Sequence, residues 1–575
     1  MHVVVPSKSL FDAFRESGEP KLLFGFFAAS SNKTIVLGRT ALDESARKHF
    51  AHGIEPIGAC LFDAECVEVE IQKRAVDLIR DCSFLPSVIV IVACSKTAEN
   101  VKVYSFDAKT KSISQAELTE ENISNEVATF RISAQFPVIL PQKALNSHRV
   151  SLEAERLERG LRDTNTAFFF PSFDFLLLED TCFGDAKITP STTIQELIRT
   201  QKKGHNTDVR DIIDVSYLTK ASLPNDDDEK LPCPSVTISK TCEDYLRLDL
   251  CVDALASSHV SSEVSSLFSL LRKCLSKGIE NLLSDVKASI ESGSPYVPKS
   301  WHFRPPQIHH TISVSYPQRF FSGEEAQESN LESVRRRVHQ MFCLPCDRPL
   351  FRTVNALTFE KEIFDGHIVN PHIGLLSGVK EGTLSLVQGN YSYYHYLQDK
   401  FDDNGWGCAY RSLQTICSWF KHQGYANRGV PTHREIQETL VSVGDKEAKF
   451  IGSKQWIGSF EVGTCLDTLF GVTFKIMSLN QGAELENRGR ELRMHFQVHG
   501  TPVMIGGGVL AHTILGVDYS DQTGQIKFLV LDPHYTGVDD VKAIQKGGWC
   551  AWKDVTFWNK YDRYNLCLPQ RPKVI

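Results

Sequence analysis

The sequence predicts an α+β protein of several domains, and three observations carry that expectation. Its 575 residues exceed what one hydrophobic core can serve, so about two to four domains follow. Short β-branched runs alternate with helical stretches through the first 345 residues. From about residue 350 the texture changes: aromatic and Gly density rise, and short polar turns separate strands from helices.

Bulk properties narrow the class. Lys+Arg 63 against Asp+Glu 70 give a net charge of -7, which argues against a nucleic-acid partner. The longest apolar runs, 88–94 and 167–170, are far shorter than a membrane span, and Pro171 and Asp174 soon break the second. The opening residues lack the charged start and apolar stretch of a signal peptide. A soluble, cytosolic protein is expected, reaching a membrane only through a partner. The 16 cysteines have no repeated spacing, and Cys94, Cys251 and Cys417 sit in apolar patterns as reduced, buried thiols do.

In chain order, residues 34–38, 67–71 and 87–92 read as strands and 41–52 as a helix. Together they predict a small α/β domain over 1–140. A charged helical stretch at 152–158 leads into a second region, 141–345. That region contains a polar, acidic loop at 223–230 and an alternating strand at 245–251. A long amphipathic helix follows over 262–283, where Leu267, Leu270, Leu271, Cys274 and Leu275 recur at helical spacing. The last domain, 350–575, carries the chemistry.

There Asp403-Asn404-Gly405-Trp406-Gly407-Cys408-Ala409-Tyr410-Arg411-Ser412 is a turn running into a helix. Leu413, Ile416, Cys417 and Phe420 fall at i, i+3, i+4 and i+7, the buried stripe of an amphipathic helix. Cys408 then occupies the first helical turn. Unpaired N–H groups and the helix dipole there favour a thiolate, and the same N–H groups can serve an oxyanion. One cysteine among 16 at a helix start is weak evidence by itself, since a small core thiol fits the position equally well.

A strand over 525–531 ends in Asp532-Pro533-His534-Tyr535-Thr536-Gly537. Residues two apart on an extended chain face the same way, so Asp532 and His534 project together, a carboxylate beside an imidazole. A rival base stands upstream. Gly506-Gly507-Gly508-Val509-Leu510-Ala511-His512 reads as a Gly turn into a strand that pairs with the one ending at Asp532. His512 beside Asp532 would reproduce the Cys, His, Asn/Asp order of papain-like enzymes. Spacing alone leaves His512 and His534 both open. The aromatic run Tyr391-Ser392-Tyr393-Tyr394-His395-Tyr396 offers phenol donors for an oxyanion, or simply an aromatic core.

These motifs, with Gln455-Trp456-Ile457-Gly458 and the segments 501–508 and 566–572, resemble the ubiquitin-fold-modifier-specific cysteine proteases, and the chain length matches the longer of the two types. The resemblance spans roughly residues 350–575 and implies a papain-like fold. It implies Cys408 as nucleophile, His534 as base, Asp532 as its orienter and Tyr396 as oxyanion donor. The implied reaction is hydrolysis of the peptide or isopeptide bond after the modifier's C-terminal glycine. A narrow channel walled by Trp406 and Gly407 is expected to enforce that glycine.

Residues 1–140 resemble, more faintly, the MPN-like domains. His49-Phe50-Ala51-His52 lacks the His-x-His zinc spacing of the metalloenzyme version, so a non-catalytic docking domain is expected. The family also implies recruitment to the endoplasmic reticulum through an adaptor protein. Cys343-Leu344-Pro345-Cys346 has no second pair at zinc-site spacing, and neither a metal nor a cofactor is expected. Two competing readings are an autophagy-type cysteine protease acting on another ubiquitin-like protein and a partner-binding scaffold with an incidental protease domain.

Overall fold

A computed structural model describes the chain except for residues 1, 7–19, 29–32, 63–67, 83, 95–100, 122, 124–125, 143–144, 163–165, 185–187, 201–211, 220–244, 306–307, 321–330, 358, 360–366 and 427. The acidic loop expected at 223–230 lies outside the described residues. The chain divides into two compact units, Met1–Pro345 and Cys346–Ile575. Among the described residues no helix is long and apolar enough to cross a membrane.

The first unit opens with a closed barrel of seven strands. His2–Val5 pairs in parallel with both Lys33–Thr40 and Ser112–Glu120, which shuts the sheet on itself. Val3, Leu23, Val36, Cys60, Val90 and Val92 fill its interior. Of the strand expected at 67–71, Val67 lies outside the described residues and 68–71 instead begin a helix, Glu68–Asp81. The strands Glu55–Phe62 and Val88–Cys94 run parallel, so the chain between them must cross over, and this helix does so. Ile71, Ala75 and Leu78 form its buried stripe. The helix expected over 41–52 shrinks to a 3-10 helix, Glu44–His49, capped by Asp43. Phe50 and His52 leave the helix to make bridges with Ile312 and Ala256.

A second, six-stranded sheet follows. Val127–Pro141 pairs along its full length with Tyr245–His259, so the change of sheet falls after Glu120 and not at residue 140. The helix Val264–Glu291 buries Leu267, Leu271, Cys274, Leu275, Ile279 and Leu282 against this sheet, extending eight residues past the expected end at 283.

The second unit holds a seven-stranded sheet in the order Phe474–Leu479, Tyr564–Pro569, Val503–Gly507, Leu510–Tyr519, Ile526–Leu531 and Cys550–Asp554, with Thr383–Leu386 added beside Leu510–Tyr519. The predicted hairpin across 520–524 is present, its register placing Thr513 opposite Leu531. The helix Cys408–His422 packs on this sheet, and every residue from Cys408 to Phe420 is buried. The expected one-sided stripe is therefore only half the pattern. The opposite, more polar face is covered as well, and its side chains become attachment points.

Candidate active site

The site is built on the turn before the helix Cys408–His422. Gly405 takes a left-handed φ of 83°, the conformation that makes Asn404-Gly405 a turn. Gly407 follows as the helix N-cap. A Cβ on Gly407 would come 2.6 Å from the Asp403 side chain, so a bare α-carbon is needed for that carboxylate to tuck beneath the helix start. Cys408 is thereby set at the first helical residue, where free backbone N–H groups and the positive end of the dipole support an anion.

The polar face of this helix receives the tyrosine segment. Ser392 N–H donates to Ser418 Oγ at 2.9 Å, and Tyr394 N–H donates to Thr415 Oγ1 at 3.1 Å. Tyr396 N–H donates to the Pro533 carbonyl at 3.0 Å, tying this segment to the peptide between Asp532 and His534. Tyr393 Oη–H donates to the Asp532 carbonyl from the other side. The Tyr396 phenol and the Cys408 thiol act on each other's ionisation. Burial and the neighbouring thiol keep the phenol protonated, because both raise its pKa.

Asp532 ends the strand Ile526–Leu531, and its own N–H is held by the Trp549 carbonyl at 2.7 Å. Asp532 Oδ1 accepts two bonds from His534, from Nδ1–H at 2.5 Å and from the backbone N–H at 3.0 Å. The imidazole is thus fixed in one tautomer, with Nε2 free to work toward the thiol. That Nε2 is buried with no hydrogen bond at bonding geometry, poised for Cys408 and not yet bonded to it. The edge of the Tyr396 ring stands against His534 at 5.3 Å.

Electrostatics couple the pair. Burial opposes the His534 cation, yet Asp532 and the Cys408 thiolate together raise its pKa to about 9. Burial likewise opposes ionisation of Cys408, but His534, the Ala511 N–H and the Tyr396 hydroxyl pull the thiol below its ordinary value. The site therefore favours a thiolate–imidazolium pair, the reactive form of a cysteine nucleophile.

Of the residues the sequence singles out, Cys408, His534, Asp532 and Tyr396 come together. His512 lies on the other side of the carboxylate, its Nε2 3.7 Å from Asp532 Oδ2. Trp406 is buried among Phe401, Tyr410 and His433, with ring centroids 5.9, 5.4 and 5.5 Å away. Among the described residues, His512, Asp532 and His534 are the one group with metal-ligating atoms clustered, all within 4.8 Å of one another. A cation there would have to displace the proton shared by Asp532 and His534.

A second charged group escaped the sequence reading. Arg411, almost wholly buried, donates from Nε to Asp403 Oδ2 at 2.6 Å and from Nη1 to Asp399 Oδ2 at 2.8 Å. His433 Nε2 meets the same Asp403 oxygen at 3.0 Å, and Leu397 N–H donates to Asp403 Oδ1 at 2.9 Å. This group fastens the loop after Tyr396 to the turn before Cys408. One signal was available: an arginine three residues after Cys408, inside a helix otherwise apolar or neutral to Phe420.

Comparison with known proteins supplies a family. A model of peptidase family C78 matches residues 382–567, and a model of the N-terminal part of ubiquitin-fold modifier 1 specific protease 2 matches residues 188–364. The human protein named Ufm1-specific protease 2 is 51% identical over 337 residues, which cover 58% of this chain and 70% of the human one. Its mouse counterpart is 48% identical over 377 residues, 64% of this chain and 78% of that one. A Drosophila melanogaster protein named probable Ufm1-specific protease 2 is 42% identical over 464 residues, 75% of this chain and 76% of its own length. The crystal structure of UfSP from C. elegans matches over 100% of both chains with a TM-score of 0.69 and 26% identity.

Proposed function

The chain belongs to the Ufm1-specific protease 2 family, within peptidase family C78, and from that membership we propose that it hydrolyses the bond after the C-terminal glycine of Ufm1, maturing the precursor and releasing the modifier from conjugated proteins. One observation supports the chemistry: His534 is held on the Asp532 carboxylate through Nδ1 at 2.5 Å while its Nε2 is buried without a hydrogen bond, electrostatically coupled to Cys408 at the helix start, with the Tyr396 ring against it at 5.3 Å.

In this mechanism the Cys408 thiolate attacks the glycyl carbonyl carbon. The Cys408 N–H and the Tyr396 hydroxyl donate to the oxyanion, which a helix start and a protonated phenol are built to do. The His534 imidazolium gives its proton to the leaving amine, and a thioester remains. Neutral His534 then takes a proton from water, whose oxygen attacks the thioester and frees the modifier. Asp532 holds the imidazole throughout. This reading assigns Trp406 and Gly407 the walls of a narrow channel to the sulfur, in which a substrate residue larger than glycine would collide. The same reading gives the N-terminal region a docking role toward an adaptor on the endoplasmic reticulum.

The test is cleavage of purified Ufm1 precursor by the full chain and by Cys408→Ser, His534→Ala and His512→Ala. Cys408→Ser and His534→Ala should each lose turnover while folding as wild type. Activity that persists in His534→Ala but vanishes in His512→Ala would reassign the base. For the docking role, deletion of residues 1–120 should leave precursor cleavage intact and release the protein from microsomes; unchanged microsomal recovery would sink it.

A further inference from the structure

His512 is buried at the heart of this site, and the cleavage steps give it nothing to do. It projects from the strand Leu510–Tyr519, whose pairing of Thr513 with Leu531 brings His512 beside Asp532. Both His534 donors use the inner oxygen, Oδ1, and the outer oxygen, Oδ2, is the one facing His512 Nε2 at 3.7 Å. The two histidine rings are 5.3 Å apart. The edges of Phe557 and Trp558 close the remaining sides at 5.3 and 5.8 Å. The charged groups acting on His512 are Asp532, His534 and Lys553.

Burial, only partly offset by Asp532, drives the His512 pKa down to about 4. The ring stays neutral where the thiolate–imidazolium pair exists. A neutral ring can present an N–H to the carboxylate without placing a second cation beside His534. The separation is long for a hydrogen bond at rest, and catalytic contacts of this kind tighten as charge develops.

We propose that His512 is a positioning residue for this protease: a neutral donor on the outer oxygen of Asp532 that fixes the plane of the carboxylate, so that the inner oxygen stays on His534 Nδ1. The inference rests on the triad of the proposed function. It assigns His512 a task that a merely space-filling ring would not perform.

The test compares His512→Phe, which keeps a ring and loses the donor, with His512→Gln, which keeps an N–H donor. The full chain is assayed on Ufm1 precursor for kcat and KM separately, and Cys408 alkylation by iodoacetamide is followed against pH. His512→Phe should lower kcat roughly 10-fold with KM unchanged, the scale of one hydrogen bond to a charged group. Its alkylation profile should lose the ion pair at a lower pH than wild type. His512→Gln should recover most of kcat and the wild-type profile. Equal kcat in the two variants, or an unmoved alkylation profile in His512→Phe, would overturn the proposal. If His512→Phe does not fold, His512→Ala against His512→Gln gives the same comparison. Failure of the triad itself would show elsewhere, as cleavage that survives in His534→Ala.

Discussion

His534 on Asp532 is a half-buried imidazole–carboxylate pair and His433 on Asp403 a buried one, joined at 2.5 Å and 3.0 Å. They nevertheless titrate in opposite directions. His534 is raised to about 9, whereas His433 is lowered from 6.5, first by burial and then by Arg411. The difference lies in what else the carboxylate holds. Asp403 already has a guanidinium at 2.6 Å, so its charge is spent before His433 can use it. Among the described residues Asp532 has no such cation, and a thiol stands across the ring to become the second anion. A buried His–Asp pair is therefore a charged pair or a neutral clamp according to its third neighbour.

Four experiments press on that contrast. The largest effect belongs to His534→Ala, which removes the proposed proton carrier and should cut kcat roughly ten-thousand-fold while the chain still folds. Near-native turnover would mean that the charged pair is not the working one. Arg411→Met should instead strike stability. Breaking a buried ion pair costs about 3–5 kcal/mol, and six of the seven tryptophans lie in the second unit, so urea unfolding followed by tryptophan fluorescence reads it directly. In the folded fraction the His433 pKa should rise by NMR, since Arg411 is one of the groups holding it down.

The third experiment is a pH series. The imidazolium is lost as pH rises through about 9, and kcat/KM should fall about tenfold per pH unit above that point. Stability changes with pH through the same groups. His534 has a raised folded pKa, so its contribution is complete below 6.5 and gone above about 9. His433 has a lowered one, so its neutral clamp costs stability as pH falls below 6.5. Urea midpoints of His534→Gln and His433→Gln against pH should therefore diverge from wild type at opposite ends. The smallest effect is Thr432→Ala. It removes the capping box that starts the helix carrying His433, at a cost of about 1 kcal/mol and without change in kcat.

What could be read from the sequence was whatever neighbouring residues decide together. Asn404-Gly405 before a helical stripe set Cys408 at a helix start, and Asp532-Pro533-His534 put two side chains on one side of an extended chain. The choice between His512 and His534 depended on which face of Asp532 each meets, and spacing along a strand cannot express that. The Arg411 group was hidden because its partners Asp399, Asp403 and His433 meet only after the chain has folded back on itself. Residues 67–71 misled because Val67-Glu68-Val69-Glu70-Ile71 alternates like a strand, while the parallel strands around it demand a crossover. The barrel itself joins strands as far apart as His2–Val5 and Ser112–Glu120, a pairing no local pattern announces.

The hydrogen bond from Tyr396 to the Pro533 carbonyl has one more consequence. It makes the oxyanion arm and the acid–base arm neighbours on a shared peptide, so a fluctuation that displaces one loop drags the other. In the proposed mechanism a partly opened molecule then loses the Tyr396 donor and the His534 base together and leaves an idle thiol. In a cell crowded with glycine-containing loops, a site that is either whole or silent guards against stray cleavage more simply than any added gate.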